Sequence, residues 1–209
     1  YVDAMVADRR HTLTDDLLSD LIRAEDDGDR LSADELRMLV AGLLMAGTDT
    51  TRNQLAASVF AMCGHPDQWS LLGRRPELAA AAAEEVFRHS PVAIGMLRTA
   101  TEDVELAGVT IPAGTLVVAN LASANRDPEI FESPERLDIT REGAPAMVTF
   151  GGGMHYCLGS HLARLEIAEG LAVMAQRMPD IRLDGPAPWK PPTALSVPVT
   201  LPIAFEAAA

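Results

Sequence analysis

The run Phe150-Gly-Gly-Gly-Met-His-Tyr-Cys-Leu-Gly159 sets a cysteine in a glycine-rich loop directly ahead of a helical pattern. Loop N–H groups and a helix start favour a thiolate over a thiol. Glycines let backbone approach a flat ligand closely. A thiolate held in this way can ligate a metal. Four chemistries are open on these residues alone. One is an ordinary turn around a buried cysteine. A second is a phosphate loop, although the Gly-Lys-Ser/Thr ending is missing. A third is a zinc site from His155, Cys157 and His161, which is crowded, departs from the usual spacing and lacks a fourth ligand nearby. The last is a haem with a cysteine as its proximal ligand.

Two further segments bring polar groups to places where they could act. Ala46-Gly-Thr-Asp-Thr-Thr51 interrupts a long, mostly apolar run with a carboxylate and hydroxyls. The Thr50 hydroxyl can bond the carbonyl four residues back, which loosens the helix ladder and bends it. Glu85-Val-Phe-Arg88 places a carboxylate and a guanidinium at i, i+3, on one helix face, where they can pair.

Together these segments resemble the cytochromes P450. The loop fills every position of that family's haem-binding pattern, Phe-x-x-Gly-x-His/Arg-x-Cys-x-Gly, with Phe150, Gly153, His155, Cys157 and Gly159. Ala46 to Thr50 is similar to the family's central-helix motif, and Glu85–Arg88 to its Glu-x-x-Arg. Ala124-Asn-Arg-Asp-Pro128, through Phe131 and Pro134 to Arg141, is similar to the segment that soluble bacterial members carry there. The resemblance runs from Thr14 to Phe205 and corresponds to the C-terminal, haem-binding half of the fold. It implies haem b between the central helix and the Cys157 loop, with the Cys157 thiolate as axial iron ligand. Ala46, Gly47, Arg98, Phe150, Gly151, His155 and Gly159 would also contact the haem, Arg98 and His155 at its propionates. Thr50 would hydrogen-bond bound dioxygen, and Asp49 would relay protons. Glu85, Arg88 and Arg136 would form a buried triad locking the irregular stretch behind the loop. Leu137 stands where the family usually has Phe. Leu43, Val92, Ile94, Ala194 and Leu195 would line a pocket for a small apolar substrate.

The elements that must position these groups follow from periodicity and breakers. Tyr1 opens in a helix-like pattern without an initiator Met, so the chain reads as a piece of something longer. Thr14–Arg23 is helical, with Leu17, Leu18, Leu21 and Ile22 at helical spacing. Glu25 to Arg30 is a polar loop. Ser32-Ala-Asp-Glu35 is a capping box, opening a helix from about Ala33 to Cys63, a rod of roughly 45 Å. Gly64-His65-Pro66 stops it. Helices follow at Pro66–Leu72, about Pro76–Arg88, and about Leu158–Met178. The last carries Leu162, Leu165, Ala168, Leu171 and Ala172 as its expected stripe. Strands are expected between Val104 and Leu121, an irregular meander over residues 125–149, and further strands from Ile181 to Phe205. The fold class is one mainly α domain with small β-sheets (α+β).

Composition sets the limits. The 209 residues carry a net charge of −13, and Lys190 is the sole lysine. No basic field is available to displace counterions from nucleic-acid phosphates. Two distant cysteines, Cys63 and Cys157, fit a reducing compartment, hence the cytoplasm. The longest apolar stretch, Met38 to Gly47, is too short to span a bilayer. The resemblance implies O2 as co-substrate and NAD(P)H-derived electrons delivered by a ferredoxin and its ferredoxin reductase. Because such ferredoxins are acidic, an arginine patch from Arg74, Arg75 and Arg164 is expected to receive them. A competing reading is a truncated homologue that acts as a scaffold without functional haem.

Overall fold

The computed structural model describes residues 1–26, 31–143, 147–191 and 195–207. The chain divides into two compact units, Tyr1–Asp49 and Thr50–Ala209, and helix α3 runs through the division.

The first unit holds α1 (Val2–His11), α2 (Leu17–Asp26) and the first half of α3 (Ala33–Cys63). Asp16 caps α2 by accepting the Ser19 N–H at 2.8 Å. Hydrogen bonds from the Thr14 hydroxyl and the Ser19 backbone, with Arg9 nearby, hold its carboxyl down to about 2. The capping box of α3 is reciprocal. The Glu35 N–H reaches Ser32 Oγ at 3.3 Å, and the Ser32 N–H reaches Glu35 Oε2 at 2.8 Å. Ile22, Leu36 and Val40 form a small core against Val2, Met5, Val6, Leu18 and Leu21. The polar run expected as a loop begins inside α2, and its residues 27–30 lie outside the described residues.

The second unit continues from α3 into α4 (Pro66–Arg74), a 3-10 turn at Pro76–Leu78, and α5 (Ala79–His89). Proline at the start of α4 and of the 3-10 turn costs no hydrogen bond there. Among the described residues, three two-stranded antiparallel ribbons follow from six strands. These are β1 (Gly95–Thr99), β2 (Val104–Leu106), β3 (Val109–Ile111), β4 (Leu116–Asn120), β5 (Arg182–Leu183) and β6 (Ile203–Ala204), paired β1–β4, β2–β3 and β5–β6. Gly95 faces Asn120 and Thr99 faces Leu116 across the first ribbon. Strand β1 was not expected, because its signal lies in pairing with a strand some twenty residues on and not in local alternation. A one-turn helix, α6 (Leu121–Ala124), and a long one, α7 (Ser160–Arg177), complete the unit.

The main core lies among α4, α5 and α7 and includes Trp69, Leu72, Val86, Phe87, Ile167 and Leu171. The Trp69 indole N–H donates to the Met178 carbonyl at 2.8 Å. A Cβ at Gly73 would sit 2.9 Å from the Ala175 carbonyl oxygen, so glycine is what lets α4 and α7 approach this closely. The expected stripe of α7 needs correction. Leu162 and Leu165 are 60% and 58% exposed, and the buried set is Ile167, Ala168, Leu171 and Ala175. At 100° per residue Leu162 lies half a turn from Leu171, so the two cannot share a buried face. Among the described residues no helix is long and apolar enough to cross a membrane. Both cysteines are free thiols.

Candidate functional site

The loop before α7 is shaped by hydrogen bonds between its two ends. The Gly151 N–H donates to the Val148 carbonyl at 2.9 Å, Tyr156 to Gly153 at 3.0 Å, and Cys157 to Phe150 at 2.9 Å. A 3-10 turn, Gly153–His155, bridges the tip. Gly151 and Gly153 have φ of 75° and 64°, left-handed values that favour glycine. A Cβ at Gly151 would in addition press on the Met96 thioether at 3.2 Å. The turn presents Cys157 as an exposed thiol one turn ahead of Ser160, whose N–H bonds the Cys157 carbonyl at 3.2 Å.

Phe150 anchors the loop. Its ring is buried 4.9 Å from that of Phe87, and the Arg164 guanidinium lies 4.3 Å from its centroid. Arg164 also pairs with Glu84 and donates to the Tyr156 hydroxyl at 3.3 Å. That hydrogen bond holds the Tyr156 phenol below its ordinary range.

Behind the loop, α5 carries a saturated clamp. Arg88 donates through Nε and Nη2 to the two oxygens of Glu85, each at 2.8 Å. Its Nη1 reaches the carbonyls of Asn125 at 3.0 Å and Pro134 at 2.8 Å, and Nη2 reaches that of Arg136 at 3.0 Å. All five guanidinium donors are therefore used. Both side chains are nearly inaccessible, at 3% and 4%. Glu85 also accepts the Asp138 N–H at 2.9 Å and meets Arg141 Nε at 3.2 Å.

The expected third member of this triad is therefore corrected. Arg141, not Arg136, brings its guanidinium to Glu85. In the turn where the Arg136 N–H bonds the Ser133 carbonyl, Arg136 directs its own carbonyl inward. Its side chain turns outward, 67% exposed and 3.5 Å from Asp138. Nothing in the residue types distinguishes the two arginines; only the path of the irregular stretch does.

His89 ties the same helix to the meander. Its Nε2 contacts the Glu135 carbonyl at 3.1 Å and its Nδ1 the Ser90 hydroxyl at 2.9 Å. Burial, then Arg126, lowers its affinity for a proton below the usual 6.5. The unfolded chain therefore takes up a proton as pH falls through about 6.5, before the folded chain does. This contribution to stability is complete above 6.5 and is lost as pH falls towards the depressed folded value. Urea midpoints measured against pH should show this acid-side decline, and His89→Gln should flatten it.

In the first unit, Ala46, Gly47 and Asp49 are exposed on α3, and a Cβ at Gly47 would meet no atom within 4 Å. Leu43 is half-buried there. Thr50, at the start of the second unit, is half-buried. The Thr48 hydroxyl donates to the Leu44 carbonyl at 2.7 Å. Arg98 is exposed on β1, with its guanidinium on the Leu97 carbonyl at 2.8 Å. His155 is exposed in the loop tip. Val92 is buried with Ala57 and Val197, and Leu195 packs against this cluster; Ala93 and Leu195 form a β-bridge. Ile94 is half-buried, and Ala194 lies outside the described residues. Of the arginines expected on a partner surface, Arg75 is held by Glu77 at 2.9 Å and Arg164 by Glu84.

Among the described residues no group of three or more His, Cys, Asp or Glu side chains could hold a metal ion, so His155, Cys157 and His161 do not assemble the zinc site. One exposed thiol remains, beside glycines 152, 153 and 159, where an added Cβ would meet nothing within 4 Å. Exposed Met154, Leu158 and Tyr156 make the surroundings apolar. One thiol in an open, apolar cradle suits a large flat group that supplies its remaining metal ligands itself.

Fold and site thus define a helix-dominated protein presenting one thiol on a braced glycine loop. Residues 1–178 match the family model described as Cytochrome P450, and the chain belongs to the cytochrome P450 family. It is 43% identical over 209 residues to luteothin monooxygenase of Streptomyces thioluteus, covering 100% of this chain and 51% of that protein. It is 41% identical over 210 residues to nocardicin C N-oxygenase of Nocardia uniformis subsp. tsuyamanensis, covering 98% and 52%. Among solved structures, CalO2 superposes with a TM-score of 0.92 at 36% identity, over 99% of this chain and 52% of that one. P450BioI, in complex with an acyl carrier protein bearing hexadec-9Z-enoic acid, superposes with a TM-score of 0.90 at 36% identity, over 99% and 53%. The chain therefore spans about half the length of the relatives it matches.

Proposed function

We propose that this chain is the haem-binding part of a haem-thiolate monooxygenase acting on a small apolar substrate. The observation that carries the reading is the exposed Cys157 thiol on its glycine loop, with open space beside Gly152, Gly153 and Gly159. Cys157 would ligate the iron of haem b, and Phe150, Gly151 and Gly159 would lie along the macrocycle. Arg98 and His155 would bind its propionates, and Ala46 and Gly47 would leave room on the other face. Bound haem would supply activation of O2 and insertion of one oxygen atom into a C–H bond.

The chain's own residues would govern protons and position. The Thr50 hydroxyl would hold a hydrogen bond at the oxygen-binding side, and the Asp49 carboxylate would pass protons from solvent to it. Leu43, Val92, Ile94, Ala194 and Leu195 would exclude water from the substrate. Electrons would come from NAD(P)H through a ferredoxin and its reductase, received near Arg74, Arg75 and Arg164. The monooxygenase and N-oxygenase names of the relatives support the reaction class.

Thr50→Ala tests the proton arrangement. Haem uptake should persist, while product formed per electron consumed falls by about tenfold or more and hydrogen peroxide appears. Product analysis alongside peroxide and NAD(P)H consumption reads this. Unchanged coupling would count against the role.

A further inference from the structure

Asn125 lies behind the Cys157 loop and is fully buried, yet every polar atom it has is bonded. Its backbone N–H donates to Leu121 at 3.0 Å, and its carbonyl accepts from Arg88 Nη1 at 3.0 Å. Its side-chain Oδ1 accepts the Val148 N–H at 2.8 Å, and Nδ2 donates to Thr149 Oγ1 at 2.7 Å. The Thr149 hydroxyl in turn donates to the Phe87 carbonyl on α5 at 2.8 Å. One amide side chain therefore fastens residues 148 and 149 to the helix that carries the Glu85–Arg88 clamp. The next residue, Phe150, accepts the Cys157 N–H at 2.9 Å. Between Asn125 and the sulfur-bearing residue stand the covalently joined residues 148–150, with hydrogen bonding at either end.

We propose that Asn125, acting through Thr149, is the positioning residue that sets the height of the Cys157 thiolate relative to α5; the claim rests on Cys157 being the haem ligand. The geometry favours this over a role in general packing. A buried amide with every atom paired fixes direction as well as distance, whereas the Phe87–Phe150 ring contact tolerates sliding. Outer partners of a metal ligand act in this manner, orienting the donor without touching the metal. Asn125 and Thr149 serve no other group among those described, since their partners belong to α5, α6 and the loop base alone.

The test compares Asn125→Ala, Thr149→Val and Thr149→Ser. In the haem-loaded, reduced protein under CO, the first two should lower the share of adduct in the long-wavelength Soret band that gives the family its name. The expected drop is about tenfold, the scale on which outer partners of metal ligands act. Thr149→Ser, which keeps the hydroxyl, should restore the band. In the haem-free chain, amide exchange at Cys157 should accelerate by a similar factor in the same two variants and not in Thr149→Ser. If Asn125→Ala fails to fold, Thr149→Val decides. Folded variants with unchanged band and unchanged Cys157 exchange would overturn the proposal. Should the wild-type protein itself give no such band, the haem-ligand reading fails. Exchange at Cys157 in the haem-free chain then decides the positioning claim alone.

Discussion

Arg88→Ala is expected to destabilise the second unit by about 3–5 kcal/mol, the cost of removing one member of a buried ion pair. The size follows from what is left behind. Glu85 would keep a buried negative charge with Arg141 alone to offset it, at 3.2 Å and imperfect alignment. The carbonyls of Asn125 and Pro134 would lose the Arg88 donor, while that of Arg136 would keep Arg141 Nη2 at 3.1 Å. Each unmet buried acceptor carries a desolvation penalty of about 1–3 kcal/mol where water cannot reach it. Arg88→Lys should fail to rescue, because an ammonium has three donors and cannot reproduce a planar five-donor fork. Urea unfolding followed by circular dichroism measures the loss. The same experiment separates the two arginines of the irregular stretch. Arg141→Ala should be costly, whereas Arg136→Ala should stay within about 0.5 kcal/mol, as exposed substitutions do. A large effect at Arg136 and none at Arg141 would show the clamp to be wrongly drawn.

Much of this architecture was legible in the residues themselves. The capping box at Ser32–Glu35 fixed the start of α3, and Gly64-His65-Pro66 its end, because both act through local backbone chemistry. The Cys157 loop was legible because its glycines and cysteine stand at set spacings within ten residues. The pairing of Glu85 with Arg88 followed from their i, i+3 spacing. What escaped was non-local. Strand β1 exists through its pairing with β4, and Arg141 displaces Arg136 through the course of a proline-broken segment. Asn125 and Thr149, 24 residues apart, meet only when the meander folds over α5. Leu162 and Leu165 are apolar yet lie off the buried face of α7, Leu162 by half a turn from Leu171. These two sites, like Met154 and Leu158, belong to a chain that spans half the length of its relatives.

Cys157→Ala is expected to have the largest functional effect of any single substitution. Cys157 is the one thiol in the cradle, and no cluster of His, Cys, Asp or Glu ligands stands ready among the described residues to replace it. Because the thiol is exposed, its loss should leave the haem-free chain as stable as before, within about 0.5 kcal/mol. Ligand loss and unfolding are thereby separable: the urea midpoint should hold while haem retention fails. If His155 or His161 were the iron's partner instead, Cys157→Ala would keep haem, and the corresponding histidine variant would release it. The most direct measurement is the CO difference spectrum of the reduced, haem-loaded protein beside that of Cys157→Ala. The wild type should show the long-wavelength Soret band and the variant none. A wild-type band at the shorter wavelength of histidine-ligated haem, or a long-wavelength band that survives the substitution, would contradict the assignment of Cys157.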